Sequence, residues 1–231
     1  MCRMFAYVGR SNQDIAALHK ALKESARNDV IAREFKSEGH CVDGWGYVML
    51  SQSGLFHYRN GKPIFDDEHE LPRLDGKVYA IFHARRASDK HKLGTVFAHP
   101  FPGSLSEHAI YLAHNGLVDM GDLSGADMTD TEYALRVITR KGLTAGIEEL
   151  KDLTLTGLNL LILEIDKQTQ APAIRYLNFY VNPHRSRYFD MHFAEMADGK
   201  AIVSSTLLKY GIKRDTVLGV PFDRLSDLEE F

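Results

Sequence analysis

Cysteine is scarce in this sequence, since only Cys2 and Cys41 occur among its 231 residues. Two cysteines cannot build a four-cysteine zinc or iron–sulfur site, and we expect no disulfide between them in a reducing compartment. No apolar run approaches the roughly 20 residues that span a membrane, and residues 1–14 lack the apolar segment of a secretory signal. We therefore expect a cytoplasmic protein that does not interact with membranes.

An excess of basic residues is also missing. The 28 Lys and Arg residues against 31 Asp and Glu residues give a formal net charge of −3, whereas nucleic-acid-binding domains usually carry a basic patch. None of the 11 histidines falls in a metal-binding motif such as HExxH. We therefore expect no nucleic-acid partner, no metal site and no cofactor.

What is present is an ordinary globular composition, with 44% hydrophobic and 26% charged residues. The length fits one domain, residues 1–231. Apolar periodicity predicts helices over residues 14–27, from Thr129 or Asp130 to 141, and 143–153. It predicts strands over 2–9, 45–50, 55–59, 78–84, 109–113, 157–165, 173–181, 188–194 and 200–205, with long loops over 85–106. This order permits an α+β fold of mostly antiparallel sheets with helices on their outer faces.

Cys2 directly follows Met1. We expect Met1 to be removed, which would leave a thiol and a free α-amine on one residue. An α-amine has a pKa of about 7.7–8, so at neutral pH part of the population can accept the thiol proton. Nucleophiles activated by an N-terminal amine are a known catalytic arrangement. The alternative is that Cys2 is only a small apolar residue of a buried strand.

Five short motifs accompany Cys2. They are Met1-Cys2-Arg3, Asp43-Gly44-Trp45-Gly46, His83-Ala84-Arg85-Arg86-Ala87-Ser88, His114-Asn115-Gly116 and Thr129-Asp130-Thr131-Glu132. In this order and at these spacings the chain resembles the class II glutamine amidotransferases, which are N-terminal-nucleophile hydrolases. The resemblance covers residues 2 to about 205 and implies a four-layer αββα sandwich.

The resemblance also implies roles for individual residues. Cys2 would attack the γ-carboxamide of glutamine, and Asn115 and Gly116 would form the oxyanion hole. Arg85 would hold the substrate α-carboxylate, and Asp130 would pair with the α-ammonium. These roles are chemically sound, because a guanidinium fork suits a carboxylate and a developing oxyanion needs hydrogen-bond donors.

Each residue also has a structural interpretation. Arg85 could be an ordinary ion-pair residue, and Arg86 beside it would point to the opposite face of a strand. Asn115-Gly116 could be a plain hairpin turn. Asp130 could be only a helix N-cap.

Four other features have weaker signals. Ser88 is a candidate for substrate binding, and His99, in a His-Pro segment similar to one near the family's pocket, is a candidate pocket residue. We expect His83 to pack or to form hydrogen bonds, and the segment that begins at Asp43 to have an architectural role.

The sequence therefore predicts hydrolysis of glutamine to glutamate and ammonia through a Cys2 thioester, with delivery of ammonia to a separate synthase. One alternative is a hydrolase of another γ-glutamyl amide. Residues 204–208 read Ser-Ser-Thr-Leu-Leu, and they depart from the Ala-Ser-Glu-Pro-Leu of the γ-glutamyl hydrolases of thiol-histidine biosynthesis. A further alternative is a catalytically silent binding module.

Overall fold

The computed structural model describes residues 2–35 and 38–230. Its helices are α1 (Asn12–Arg27), α2 (Val30–Glu34), α3 (Asp130–Lys141), α4 (Leu143–Asp152) and α5 (Ser186–Phe189). Its strands are β1 (Arg3–Gly9), β2 (Trp45–Ser51), β3 (Gly54–Asn60), β4 (Val78–Ala84), β5 (Phe101–Ser104), β6 (His108–Val118), β7 (Thr154–Asp166), β8 (Pro172–Leu177), β9 (Met191–Ala194), β10 (Gly199–Ser204) and β11 (Ser226–Asp227). Within the described residues no helix is long and apolar enough to cross a membrane.

The strands form two antiparallel sheets. The first has the order β3-β2-β4-β1-β10-β9, and the second has the order β11-β8-β7-β6-β5. Every residue of β1 is buried, because β1 lies in the interior of its sheet and both of its faces are covered. A central, fully buried strand is a rigid support for the residue that precedes it, which is Cys2.

The two faces of β1 contribute to different cores, since side chains alternate along a strand. Phe5 and Tyr7 pack with Leu18 and Leu22 of α1, whereas Met4, Ala6 and Val8 pack against residues of the second sheet. A third cluster joins the other face of the second sheet to α3 and α4, through residues such as Leu160, Ile138 and Leu150. The three clusters thus join α1 to the first sheet, the first sheet to the second, and the second sheet to α3 and α4.

The predicted elements agree with most of these bounds, and four predictions were wrong. The strand predicted over 173–181 ends at Leu177. Residues 85–106 are not all loop, because β5 pairs with β6 there. Residues 188–194 are not one strand, because Tyr188 and Phe189 belong to α5 and β9 begins at Met191. The strand expected to end at 113 continues to Val118.

Candidate active site

Cys2 lies immediately before β1 and is 8% exposed. Its Sγ lies 3.4 Å from the backbone N of Arg86 and 3.6 Å from the backbone O of the same residue. The Arg86 N–H can donate to a thiolate, and the carbonyl can accept from a thiol. Residue 1 lies outside the described residues, so the expected removal of Met1 stays a prediction.

Asn115 contacts the backbone nitrogen of Cys2 directly. The Cys2 N–H donates to Oδ1 of Asn115 at 3.0 Å. The other polar atom of this side chain, Nδ2, is buried without a hydrogen-bond partner among the described residues. An unsatisfied buried donor is costly, and sites that stabilise an oxyanion use such donors.

Asn115 and Gly116 are not a hairpin turn. They lie within β6, where Asn115 pairs with Asn159 and Gly116 pairs with Leu158 of β7. A Cβ at position 116 would lie 1.6 Å from the carbonyl oxygen of Gly157. Only glycine therefore allows β6 and β7 to approach this closely beside the candidate nucleophile.

Arg85 and Arg86 diverge at the end of β4. Nη1 of Arg85 donates to the backbone oxygens of Lys92 at 2.8 Å and Asp43 at 3.4 Å. Arg86 instead directs Nη2 to Oε2 of Glu38 at 2.6 Å. Among the described residues Arg85 thus bonds to backbone carbonyls and forms no ion pair, whereas Arg86 is paired with a carboxylate.

Asp43 organises the loop that follows Arg85. Its Oδ2 accepts from the backbone N–H of Ala87 at 2.8 Å and from Nζ of Lys90 at 2.7 Å. The segment beginning at Asp43 therefore has the architectural role that the sequence predicted.

Asp130 begins α3 but does not cap it. The N-cap is Thr129, which forms a capping box with Glu132. Oδ2 of Asp130 accepts from the Val118 N–H at 3.3 Å and lies 3.8 Å from Nδ1 of His114. Its carboxylate is 17% exposed, so it is accessible from the cavity that it lines.

Three buried histidines pack beside these residues. Nε2 of His83 lies 3.0 Å from the His114 carbonyl oxygen, and the rings of His83 and His99 are 4.1 Å apart. Burial lowers the pKa of His83 to about 3 and that of His99 well below its usual value. Both rings are therefore neutral at pH 7 and pack as the sequence predicted for His83.

The predicted site residues surround one cavity of about 210 Å³. Six of the seven line it: Cys2, Arg85, Ser88, His99, Gly116 and Asp130. Asn115 is not in the lining, and its place in the site is defined by its contact with Cys2. The other eight lining residues were not predicted as site residues: Arg86, Ala87, His114, Leu117, Thr129, Thr131, Thr156 and Arg185. Five of them belong to quoted motifs, but Leu117, Thr156 and Arg185 have no motif to identify them.

A buried network of polar side chains contacts the backbone of Cys2. Arg3 donates to both carboxylate oxygens of Asp29 at 2.5 and 3.0 Å, and its guanidinium lies 3.8 Å from the centre of the Tyr188 ring. The Tyr188 hydroxyl donates to the Cys2 carbonyl oxygen at 3.3 Å. Burial opposes ionisation of Asp29, but the Arg3 charge holds the pKa of Asp29 below its usual value.

The comparisons with known proteins give a similarity in fold and no match in sequence. No protein-family model matches the sequence, and no curated protein matches it. A solved structure described as the allosteric regulatory enzyme of purine biosynthesis matches 91% of this chain at 18% identity, with a TM-score of 0.61. The match covers 44% of that protein, so this chain spans less than half its length. A predicted glutamine amidotransferase from Pseudomonas aeruginosa PA01 matches 88% of this chain and 79% of its own, at 15% identity and a TM-score of 0.38.

Only the first of these structures is used to assign the fold, because the second has a TM-score of 0.38, which is too low to indicate a shared fold. The resemblance predicted from the five motifs is confirmed at the level of the fold, because 91% of this chain matches the fold of that enzyme.

Proposed function

We propose that this protein hydrolyses the γ-amide of glutamine to glutamate and ammonia, with Cys2 as the nucleophile. The observation that carries the proposal is the buried Nδ2 of Asn115, which has no described partner although Oδ1 of the same side chain binds the Cys2 nitrogen. This donor lies beside a thiol at the wall of a cavity that also contains a cation and an anion, Arg85 and Asp130.

In this proposal, Arg85 and Asp130 bind the two charges of a free amino acid. The guanidinium of Arg85 takes the α-carboxylate, and Asp130 takes the α-ammonium. Ser88 and His99 line the same cavity and complete the substrate pocket. The γ-carboxamide then extends toward Cys2.

The chemistry begins when Sγ of Cys2 attacks the amide carbon. The thiol proton passes to the α-amine that removal of Met1 exposes, and the carbonyl π-electrons move to oxygen. Nδ2 of Asn115 and the Gly116 N–H stabilise this oxyanion. As the intermediate collapses, the protonated amine gives its proton to the departing nitrogen, and ammonia leaves with formation of a thioester. Water then attacks the thioester with the amine as base, which releases glutamate and regenerates the thiol.

The first test is the intact mass of the purified protein before and after treatment with a diazo-ketone analogue of glutamine. We expect a starting mass without Met1 and one adduct that maps to Cys2. Cys41 is an internal control, because burial raises the pKa of its thiol to about 12 and keeps it protonated.

The matched variant is Cys2→Ala, which should take no adduct and release no ammonia from glutamine. Turnover by purified Cys2→Ala would refute the mechanism. A protein without Met1 that takes no adduct would favour the alternatives, a different γ-glutamyl amide or a silent binding module.

Two finer points of organisation are also proposals. We infer a four-layer αββα sandwich formed by one domain over residues 1–231. Three apolar clusters support it, one between the sheets and one on the outer face of each sheet. We further propose that the ammonia passes to a separate synthase, which a pull-down followed by an ammonia-dependent synthesis assay would test.

A further inference from the structure

The candidate pocket continues into a second cavity. This cavity has a volume of about 220 Å³, close to that of the first, and the two share Arg85, Ser88, Leu117, Thr129 and Asp130 as walls. We call the first the nucleophile lobe and the second the distal lobe. Arg85 and Asp130 therefore lie between the lobes, with Cys2 on one side only.

This arrangement determines which end of the substrate faces the distal lobe. If Arg85 and Asp130 bind the α-carbon substituents, as proposed above, the γ-amide occupies the nucleophile lobe. The distal lobe then lies beyond the α-carbon. Space there accommodates an extension of the substrate on its α-carboxyl side, and not a larger leaving amine.

The side chains that line the distal lobe are suited to binding a peptide unit. Its walls include the apolar side chains of Met120 and Leu155, together with Lys92, Asp89 and Asp119. Lys92 is the cation among them, and its side chain is 11% exposed.

The Lys92 ammonium has only weak described partners. Nζ donates to the Ser124 carbonyl oxygen at 3.3 Å, and the Asp89 carboxylate lies 3.6 Å away on a side chain that is 42% exposed. An ammonium has three donors, so this buried cation can bind a further anion. Among the described residues Lys92 forms an ion pair with Asp89 and not with Asp119, whose Oδ1 accepts from the Gly121 N–H at 2.9 Å.

We propose that the distal lobe is a second substrate subsite, which binds the residue that follows an N-terminal glutamine in a short peptide. The inference rests on the proposed glutaminase function. The peptide α-ammonium binds Asp130, its first carbonyl oxygen accepts from Arg85, and its terminal carboxylate binds Lys92. The bond that breaks is still the γ-amide of the glutamine, so water is consumed and ammonia released as before.

The test compares the kcat/KM values of the full-length protein for glutamine, glutaminylglycine and glutaminylglycinamide. Products are identified by mass, so that glutamylglycine is distinguished from the cyclic product of spontaneous ammonia loss. We expect glutaminylglycine to be hydrolysed at least as efficiently as glutamine, and its amide about tenfold less efficiently because the carboxylate is missing.

The variant Lys92→Gln should reduce the ratio of kcat/KM for glutaminylglycine to that for glutamine about tenfold, and it should not alter the value for the dipeptide amide. Lys62→Gln, an exposed site outside both lobes, is the matched control and should leave the ratio unchanged.

The outcomes separate the two proposals. Hydrolysis of glutamine without hydrolysis of glutaminylglycine overturns the second subsite and leaves the glutaminase proposal intact. An equal effect of Lys92→Gln on both substrates also overturns the subsite. Absence of hydrolysis of all three compounds, with no adduct at Cys2, overturns the glutaminase proposal itself.

Discussion

Asn115→Asp is the most informative substitution in the candidate site. Aspartate has the same shape as asparagine and retains the oxygen that accepts from the Cys2 nitrogen at 3.0 Å. It lacks the Nδ2 donor, which is buried without a described partner. The substitution therefore separates two roles of one side chain, that of holding the nucleophile and that of stabilising the oxyanion.

The expected loss follows from the second role. Removal of one oxyanion-hole donor typically lowers kcat by about 10²–10³, or about 2.7–4 kcal/mol. The aspartate also places a negative charge where the oxyanion develops, and it pairs with the protonated amine of Cys2. We therefore expect kcat to fall at least about 10³-fold, while KM changes little because Arg85 and Asp130 bind the other end of the substrate.

The assay is steady-state release of ammonia from glutamine, with thermal unfolding as a check on the fold. Asn115→Ala provides the comparison, because alanine removes the acceptor as well as the donor. Asn182→Asp provides the matched control, since Asn182 is exposed and uses Oδ1 to accept from a backbone N–H at 3.0 Å. If Asn115→Asp stayed within tenfold of the wild-type kcat while Asn115→Ala lost activity, Asn115 would only hold the nucleophile, and the oxyanion-hole argument would be refuted.

Three further predictions concern stability and strand geometry. Gly116→Ala should lower kcat at least about 10²-fold and destabilise the fold by about 1–3 kcal/mol, because its Cβ would lie 1.6 Å from the Gly157 oxygen. Arg3→Met should cost about 3–5 kcal/mol in urea unfolding, because it leaves the buried Asp29 carboxylate without its cation. His19→Phe should reduce the loss of stability on acidification by about 2 kcal/mol at pH 5. Burial lowers the pKa of His19 to about 4, so the unfolded chain binds its proton first and stability is lost as the pH falls from about 6.5 to about 4.

Each of these predictions has a matched control at an exposed position. Gly219→Ala meets no atom within 4 Å and should alter neither kcat nor stability. Arg187→Met breaks an exposed pair with Glu34 and should cost at most about 1 kcal/mol. His184→Gln, at an exposed histidine, is the control for His19→Phe. Equal effects of a test variant and its control would show that the local geometry invoked here is irrelevant.

The sequence was sufficient to predict elements whose signals are local. β4 is apolar apart from His83 and was predicted with its observed bounds, and α3 has a capping box that identifies its start. β5 was missed because Pro102 and Gly103 are turn-forming residues. It is nevertheless a strand, since it lies at the edge of its sheet, where proline does not interrupt the hydrogen bonds between inner strands.

The predicted end of β6 at residue 113 was wrong because a distant segment decides the conformation there, and the hairpin turn that was the alternative interpretation does not form. Asn115-Gly116 is a strong hairpin signal when only its neighbours are considered. The partner that keeps it extended is Leu158-Asn159 of β7, more than 40 residues later in the chain. In the same way Tyr188 was assigned to a strand, whereas it lies in a short helix packed against Arg3.

The same distinction explains what could be known of the site. The chemical types of its residues could be predicted, because each motif is a few residues long and its side chains are those that the proposed reaction needs. The contacts of these side chains could not be predicted, because Asn115 accepts a hydrogen bond from Cys2, which lies 113 positions away in the sequence. The distal lobe depends still more on tertiary structure, since its walls come from the loop after β4, the end of β6 and the loop after it, the start of α3 and the start of β7. If this lobe is the proposed subsite, substitution in one of these loops can change the substrate, while Cys2 stays fixed before β1 and Asn115 and Gly116 stay fixed within β6.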